Sequence, residues 1–226
     1  MPDPLVVFES ILLHGGGGRV VFDELDWSLP RGARARIVGN RGAGGSAILR
    51  LVAGLAHPEK GRILLAGVPH APFQFDHPFI RRGAVAWIPE DGGLIANLTL
   101  LENVALPMRF VLGARRTDAE DRALAMLDRL DLASHAALRP HALDRTEREL
   151  GALARSAVMG AELWLLDRPF DDLEGPRLSC AMRLLDEALA DSSRTLLVVG
   201  DGPAYRKLAP RTIRLEAGRL IEENEA

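Results

Sequence analysis

The sequence has few residues of two reactive kinds, thiols and primary amines. Its 226 residues include one cysteine, Cys180, and two lysines, Lys60 and Lys207. A single thiol excludes an intramolecular disulfide framework and is typical of proteins in a reducing compartment. The other cations are arginines, a bias that a GC-rich genome also produces. Such a bias replaces lysine by arginine, so it does not account for a lysine replaced by glycine.

The sequence also lacks long apolar runs and a strong charge of either sign. No run approaches the roughly 20 apolar residues of a membrane-spanning helix, and the first residues lack the pattern of a secretory signal. The net charge is −3 at pH 7, which favours neither a nucleic-acid partner nor an anionic membrane. We therefore expect a cytoplasmic protein with no nucleic-acid partner and no direct membrane insertion, which reaches a membrane only through a partner protein.

The length and a hydrophobic content of 47% fit one α/β domain with a small insertion. Apolar periodicity predicts alternating strands and helices along most of the chain. The predicted strands are residues 5–13, 20–22, 33–38, 62–65, 163–166, 195–199, 212–215 and 219–222. The predicted helices are residues 46–55, with Leu55 on the apolar face, 121–132, with Leu124, Leu127 and Leu130 on one face, and 177–190.

Strands separated by helices indicate a mostly parallel sheet. The two strands before residue 23, joined by four glycines, indicate an antiparallel β portion at the N-terminal end. Residues 94–157 are predicted to be mostly helical and to form a helical subdomain. The remaining α/β core would comprise residues 1–93 and 158–226, within a single domain spanning residues 1–226.

A glycine-rich loop lies between the strand predicted at residues 33–38 and the helix predicted at residues 46–55. Its glycine spacing is that of G-x-x-x-x-G-K-[ST], in which backbone N–H groups cradle phosphates, the lysine reaches the β- and γ-phosphates and the hydroxyl holds Mg²⁺. Gly45 stands at the lysine position, and Ser46 keeps the hydroxyl. The candidate nucleotide-binding residues are Gly39, Asn40, Arg41, Gly42, Ala43, Gly44, Gly45, Ser46 and Ala47.

Further motifs follow this loop in a characteristic order, and with them the sequence resembles the nucleotide-binding subunits of ABC transporters over nearly its whole length. Residues 39–46 match Walker A, and residues 87–90 followed by 97–104 match the Q-loop region. Residues 163–169 match Walker B, 170–174 the D-loop and 198–201 the H-loop. Asp144, Arg145, Thr146 and Glu147 stand where the LSGGQ signature is expected. The resemblance implies a P-loop NTPase fold.

The departures from the family pattern fall on the positions that carry its chemistry. Gly45 replaces the Walker A lysine, Glu90 the Q-loop glutamine, Arg168 the glutamate after Walker B, and Gly200 the switch histidine. Ala47 replaces a Ser or Thr, and Asp144, Arg145 and Thr146 replace Ser-Gly-Gly. Ser46 and Asp167, which the resemblance assigns to Mg²⁺, survive.

These losses predict weak or no ATP hydrolysis and weak or absent nucleotide binding. Arg168 cannot accept a proton from an attacking water, so we expect little or no hydrolysis. Because the lysine and the histidine are missing and Ala47 lacks a hydroxyl, we expect binding of ATP and Mg²⁺ to be weak or absent. Arg168 and Arg41 are two candidates for the missing cation, and both are also candidates for ordinary salt bridges. Asp144 and Glu147 have the polarity of a helix capping box. Asp167 either holds Mg²⁺ or only ends a buried strand.

The resemblance implies a degenerate ABC subunit that acts as a structural or regulatory partner of a transmembrane permease. It would form a homodimer, or a heterodimer with another ABC ATPase, on the inner face of the cell membrane. Residues 91–94, 103–109 and 169–170 look most like the ATPases of bacterial MCE-type phospholipid transporters, which makes lipid transport the finer hypothesis. Two alternatives stay open at this point. One is an active ATPase with rewired residues in a heteromeric complex, and the other is a soluble interaction module.

Overall fold

Strands make up the framework of the computed structural model, which describes residues 4–73 and 76–223. In chain order these are β1 (Pro4–His14), β2 (Val20–Pro30), β3 (Arg34–Val38), β4 (Lys60–Leu65), β5 (Val68–His70), β6 (Val85–Ile88), β7 (Leu163–Asp167), β8 (Thr195–Val199), β9 (Arg211–Glu216) and β10 (Arg219–Glu223).

The strands form two sheets of different character. The six-stranded sheet has the order β10-β9-β3-β8-β7-β6, and all of its pairings are parallel except that of β10 with β9. The four-stranded sheet, β2-β1-β4-β5, is antiparallel. The mostly parallel sheet and the antiparallel β portion are therefore confirmed. β7 and β8 are buried at every residue, as expected for central parallel strands covered on both faces.

Helices cover the larger sheet and fill the segment between β6 and β7. They are α1 (Gly45–Val52), α2 (Pro78–Arg81), α3 (Leu100–Phe110), α4 (Arg116–Asp128), α5 (Arg145–Ala157), α6 (Gly175–Ala188) and α7 (Pro203–Leu208). Three of them, α3 to α5, lie in the predicted helical subdomain. The apolar side chains of α3 to α5 share one core with α6 and one face of the larger sheet. The opposite face packs with α1 and the antiparallel sheet.

Three sequence predictions about these elements were wrong. Leu55 is 40% exposed because α1 ends at Val52, before Gly54 takes a left-handed conformation with φ +71°. Leu124 is 43% exposed on α4, so that of the three leucines predicted to share one face only Leu127 and Leu130 are buried.

The second strand was predicted to end at residue 22, but it continues to Pro30. Glu24 has a positive φ of 50° within it. Such an irregularity breaks the two-residue alternation on which a strand prediction rests. Within the described ranges 4–73 and 76–223, no helix has both the length and the apolar character needed to cross a membrane.

Candidate functional site

The carboxyl ends of three adjacent parallel strands bring the predicted site residues together. β8 lies between β3 and β7, and Val199 at its end is paired with Asp167 at the end of β7. The glycine loop, residues 39–44, follows β3, Arg168 follows β7 and Gly200 follows β8. This edge is where ligands bind in open α/β sheets.

The glycine loop connects β3 to α1 as the sequence predicts. Gly44 has φ 118°, and its carbonyl accepts hydrogen bonds from the N–H groups of Ala47 (3.0 Å) and Ile48 (3.1 Å). A Cβ atom on Gly44 would lie 2.7 Å from a methyl carbon of Val21. The position therefore requires glycine, and the helix N-terminus it starts directs free N–H groups toward the loop, as phosphate-binding loops do.

Gly45, at the lysine position, is closely packed. A Cβ atom here would lie 3.1 and 3.2 Å from the two methyl carbons of Val199. Its backbone does not have the positive φ that demands glycine. A lysine would therefore fit the backbone of α1, but only if Val199 moved by a few tenths of an ångström.

Ser46 and Asp167 lie together beneath the loop. Asp167 is 2% exposed, and burial raises the pKa of its carboxyl group while a hydrogen bond with the Ser46 side chain lowers it. The Oδ1 atom of Asp167 is buried without a hydrogen-bond partner. A carboxylate oxygen with no partner beside a hydroxyl fits Mg²⁺, which in phosphate sites takes one or two protein ligands and completes its shell with phosphates and water.

Metal binding by protein groups alone finds no support at this position. Among residues 4–73 and 76–223, no three His, Cys, Asp or Glu side chains are grouped closely enough to hold a metal ion. Ser46 and Asp167 would therefore hold Mg²⁺ only together with nucleotide phosphates.

Arg41 extends from the loop to two carboxylates on other segments. Its Nη1 atom donates to Oε1 of Glu90 at 2.7 Å, and its Nη2 atom donates to Oδ2 of Asp171 at 3.2 Å. Glu90 follows β6, and Asp171 follows β7. The structure thus shows Arg41 in salt bridges rather than free in the loop.

Arg168 adopts a left-handed backbone conformation with φ 52°. Its N–H group donates to the carbonyl of Val199 at 3.0 Å, and its guanidinium lies 3.9 Å from the Asp171 carboxylate. This ion pair connects Arg168 to its own segment. A role for Arg168 as a substitute phosphate ligand stays a prediction.

The ring of Tyr205 occupies the space into which a side chain at position 200 would extend. A Cβ atom on Gly200 would lie 2.2 to 2.6 Å from three ring atoms of Tyr205, and its φ is +152°. The Tyr205 hydroxyl donates to Oδ1 of Asp171 at 2.6 Å and accepts from the N–H group of Phe170 at 3.2 Å. The segment after β8 is therefore joined to the segment after β7.

The signature position forms a helix cap. Asp144 is the N-cap of α5 and accepts from the N–H group of Glu147 at 2.7 Å, while the Glu147 carboxylate accepts from the N–H group of Asp144 at 2.8 Å. This confirms the capping box. Arg177 on α6 donates to the second oxygen of Asp144 at 2.9 Å, and Thr146 donates to the first at 2.7 Å.

These contacts compensate the negative charge at the signature position within the chain itself. Partial burial of Asp144 disfavours its ionised form, but the hydrogen bonds from Glu147, Arg177 and Thr146 outweigh it and lower the pKa to about 2. The carboxylate is therefore ionised at neutral pH and already paired.

A family model described as "ABC transporter" matches residues 22–171, two thirds of the sequence. The chain belongs to the ABC transporter family. It is 31% identical to the lipoprotein-releasing system ATP-binding protein LolD of Pseudomonas syringae pv. tomato over 90% of this chain and 89% of that protein. It is 32% identical to the Fe(3+) ions import ATP-binding protein FbpC of Pseudomonas fluorescens over 91% of this chain, and spans 57% of that protein's length.

Solved structures agree on the fold of this ABC chain. The dimeric post-hydrolysis state of the ATP-binding cassette MJ0796, bound to ADP and Pi, has a TM-score of 0.86 over 97% of this chain and 98% of that one, at 24% identity. A second dimeric structure of MJ0796 gives a TM-score of 0.87 at 23% identity. These matches confirm the P-loop NTPase fold of an ABC ATPase.

Two buried residues that contact candidate site residues, Tyr205 and Glu149, are not predicted from the sequence. The sequence does not indicate a role for Tyr205, because its contact with Gly200 arises only in three dimensions. Glu149, four residues after Arg145, is 4% exposed and its Oε2 atom has no hydrogen-bond partner. Burial raises the pKa of Glu149 to about 7, against the hydrogen bond from Arg145 and with help from the charges of Asp172 and Asp171. The spacing of Arg145 and Glu149, one helical turn, was the available signal.

Proposed function

We propose that this chain is a degenerate ABC ATP-binding subunit that serves a membrane permease as a structural or regulatory partner and hydrolyses little or no ATP. The proposal rests on the side chains that surround three candidate site positions at the strand ends. Val199 crowds the lysine position Gly45, Arg168 is paired with Asp171, and Tyr205 occupies the space beside Gly200. Three groups that phosphoryl transfer requires are therefore replaced by structural contacts.

The chemistry of the remaining groups supports weak binding without turnover. Ser46 and Asp167 would hold Mg²⁺ together with the nucleotide, and the N–H groups of the loop would bind its phosphates. Arg168 cannot polarise a water molecule, because a guanidinium stays protonated and has no acceptor. Phosphoryl transfer depends almost entirely on positioning and on stabilisation of negative charge, so the loss of several such groups at once removes most of the catalysis.

An exposed apolar patch at the C-terminal end of α3 supports the proposal that this chain binds a permease. The patch is formed by Phe110, Val111 and Leu112. These side chains are 73%, 43% and 48% exposed. The patch lies beside Gly83, where a Cβ atom would approach Val111 and Leu112 at 3.0 and 3.9 Å. Contiguous exposed apolar residues commonly mark interaction surfaces. A capping box at Thr99 and Glu102 fixes the start of the same helix.

Purification of this chain from membranes of the source organism tests whether it binds a permease. Tagged protein, solubilised in mild detergent, should retain a membrane protein with several spans. That retention should be lost when Phe110 and Leu112 are changed to Ser. Leu124→Ser is the matched control, because Leu124 is similarly exposed on α4. Equal retention by all three proteins, or no membrane protein in any of them, would contradict the permease role and favour a soluble interaction module.

Lipid-linked cargo is the finer part of the proposal. It is supported by the likeness of residues 91–94, 103–109 and 169–170 to phospholipid-transporter ATPases, and by the LolD relative, which is named for lipoprotein release. The FbpC relative is named for iron import. The relatives therefore do not agree on a cargo, and the permease must be identified to determine it. Liposomes that contain the purified complex should exchange fluorescent phospholipid faster than liposomes that contain the permease alone. Equal rates would contradict a lipid role for this subunit.

A further inference from the structure

Four side chains join the four segments that follow β3, β6, β7 and β8 into one continuous chain of contacts. The Tyr205 hydroxyl donates to Oδ1 of Asp171 (2.6 Å), Arg41 donates to Oδ2 of Asp171 (3.2 Å), and Arg41 also donates to Oε1 of Glu90 (2.7 Å). We propose that these residues form an internal latch that closes the glycine loop without nucleotide, and that the phosphates of Mg-ATP compete with Glu90 and Asp171 for Arg41. The latch is a form of regulation of the degenerate site proposed above and rests on that proposal.

Asp171 is the fixed point of the latch. One of its carboxylate oxygens accepts from Tyr205, and the other faces both Arg41 and Arg168, at 3.2 and 3.9 Å. Tyr205 is 3% exposed, and its ring fills the space beside Gly200. Because the ring cannot move without opening that space, the hydroxyl holds Asp171 in a defined position toward the loop.

Arg41 stands where the phosphate-binding region opens. It lines a cavity of about 510 Å³ with Asn40 and Ala43 of its own loop. It also lines a second cavity of about 470 Å³ with Asp171 and Tyr205. Its other partner, Glu90, lines a cavity of about 600 Å³ with Asp167. The guanidinium therefore links the edges of three cavities that surround the loop.

Carboxylates and phosphates accept hydrogen bonds from the same N–H groups of a guanidinium. Arginine presents a planar fork of donors that suits both groups. Glu90 and Asp171 thus occupy the donors that a terminal phosphate would need from Arg41, the cation in the loop itself. With Gly45 at the lysine position, release of Arg41 is the route by which this loop could regain a positive charge for a phosphate.

The latch is weak enough to be reversible. The Arg41 side chain is 67% exposed, and those of Glu90 and Asp171 are 41% and 25% exposed. Exposed ion pairs typically change an equilibrium constant by roughly 1.4- to 5-fold each. Millimolar nucleotide can therefore displace these carboxylates, whereas a buried pair would hold the loop closed.

Calorimetric titration with Mg-ATP tests the competition. The double variant Glu90→Gln/Asp171→Asn should bind Mg-ATP about three- to tenfold more tightly than the wild type, because Arg41 is released. In an Arg41→Gln background the same two changes should give a clearly smaller gain. Asp91→Asn is the matched control: it removes one negative charge from the same cavity, but its carboxylate accepts from the N–H group of Gly93 at 3.1 Å.

Two results of that titration would contradict the proposed competition between the carboxylates and the phosphates for Arg41. Equal gains with and without Arg41, or an equal gain from Asp91→Asn, would mean that removal of negative charge alone strengthens binding. No binding by the Glu90→Gln/Asp171→Asn variant at millimolar Mg-ATP would mean that the released Arg41 does not reach a phosphate.

A nucleotide-free measurement tests the latch itself. In urea unfolding, Arg41→Gln and Asp171→Asn should be coupled: the double variant should change the unfolding constant about two- to fivefold less than the product of the single changes. Tyr205→Phe, which keeps the ring and removes the hydroxyl, should reduce this coupling. Full additivity would overturn the latch. Both measurements use the purified chain, so failure to find a permease, or ATP hydrolysis by the wild type, would contradict the proposed function separately.

Discussion

The resemblance aligns Gly200 with the family's switch histidine, and we predict that a histidine at this position destabilises the protein rather than giving it activity. A Cβ atom at this position would lie 2.2 Å from the nearest ring atom of Tyr205. No real Cβ atom comes so close, and the ring belongs to a buried side chain with two hydrogen bonds. Gly200→His must therefore displace Tyr205 or distort the end of β8.

The size of the effect follows from two contributions. A side chain at φ +152° is strained by about 1–3 kcal/mol. Overpacking of a well-packed site costs about 1–3 kcal/mol more. We therefore expect Gly200→His to lower the free energy of unfolding by roughly 4 kcal/mol.

Urea unfolding at pH 7.5 measures this loss, and two further variants identify its cause. Gly67 also has a positive φ, +76°, but nothing lies within 4 Å of its Cβ position. Gly67→His should therefore show the strain alone. Gly200→His/Tyr205→Ala should be more stable than the sum of its two single changes predicts, because the ring is gone.

The account of Gly200 would be refuted by a loss of less than about 1 kcal/mol in Gly200→His, since strain and overpacking together exceed that value. Additivity in the double variant would equally show that Tyr205 is not the obstacle. Phosphate release by Gly200→His above the wild-type level would contradict the claim that the histidine is only one of several losses.

Three other predictions concern charge and the loop. Glu149→Gln should stabilise the protein more at pH 8 than at pH 5. In the folded state the pKa of Glu149 is raised from 4.5 to about 7. The free energy of unfolding of the wild type therefore falls as the pH rises between these two values, by on the order of 3 kcal/mol. Equal urea midpoint shifts at both pH values would contradict this. Asp144→Ala should cost about 1–2 kcal/mol at pH 7, whereas Asp144→Asn, which keeps an acceptor oxygen for the cap, should cost less; equal losses in thermal melts would exclude the cap as the cause. Gly45→Lys should tighten Mg-ATP binding about ten- to a hundredfold in calorimetry without phosphate release; unchanged affinity would show that the lysine is not what this site lacks.

Local patterns in the sequence predicted the framework of the site. The glycine spacing between a buried strand and an amphipathic helix predicts a loop followed by a helix, and the structure has this loop and the helix α1 after it. Asp144 and Glu147, three residues apart before an apolar run, predict the capping box of α5. Such features depend on residues within one or two helical turns, so a single sequence contains them.

Contacts between distant segments could not be predicted in the same way. Arg41 is 49 residues from Glu90 and 130 residues from Asp171. Nothing in the sequence shows which carboxylates the strand ends bring to the loop. Tyr205 occupies the space beside Gly200 because α7 turns back over the end of β8, and that turn follows from Gly202, with φ 124°. A glycine at position 200 is visible in the sequence, whereas the side chain that fills the space beside it is not.

Release of phosphate from Mg-ATP by the purified chain tests the central claim most directly. Asp167→Asn is the control, because Asp167 and Ser46 are the groups that would hold Mg²⁺ in this site. We predict that the wild type releases phosphate no faster than Asp167→Asn, even at millimolar nucleotide. Turnover by the wild type that Asp167→Asn abolishes would show an active ATPase and contradict the account.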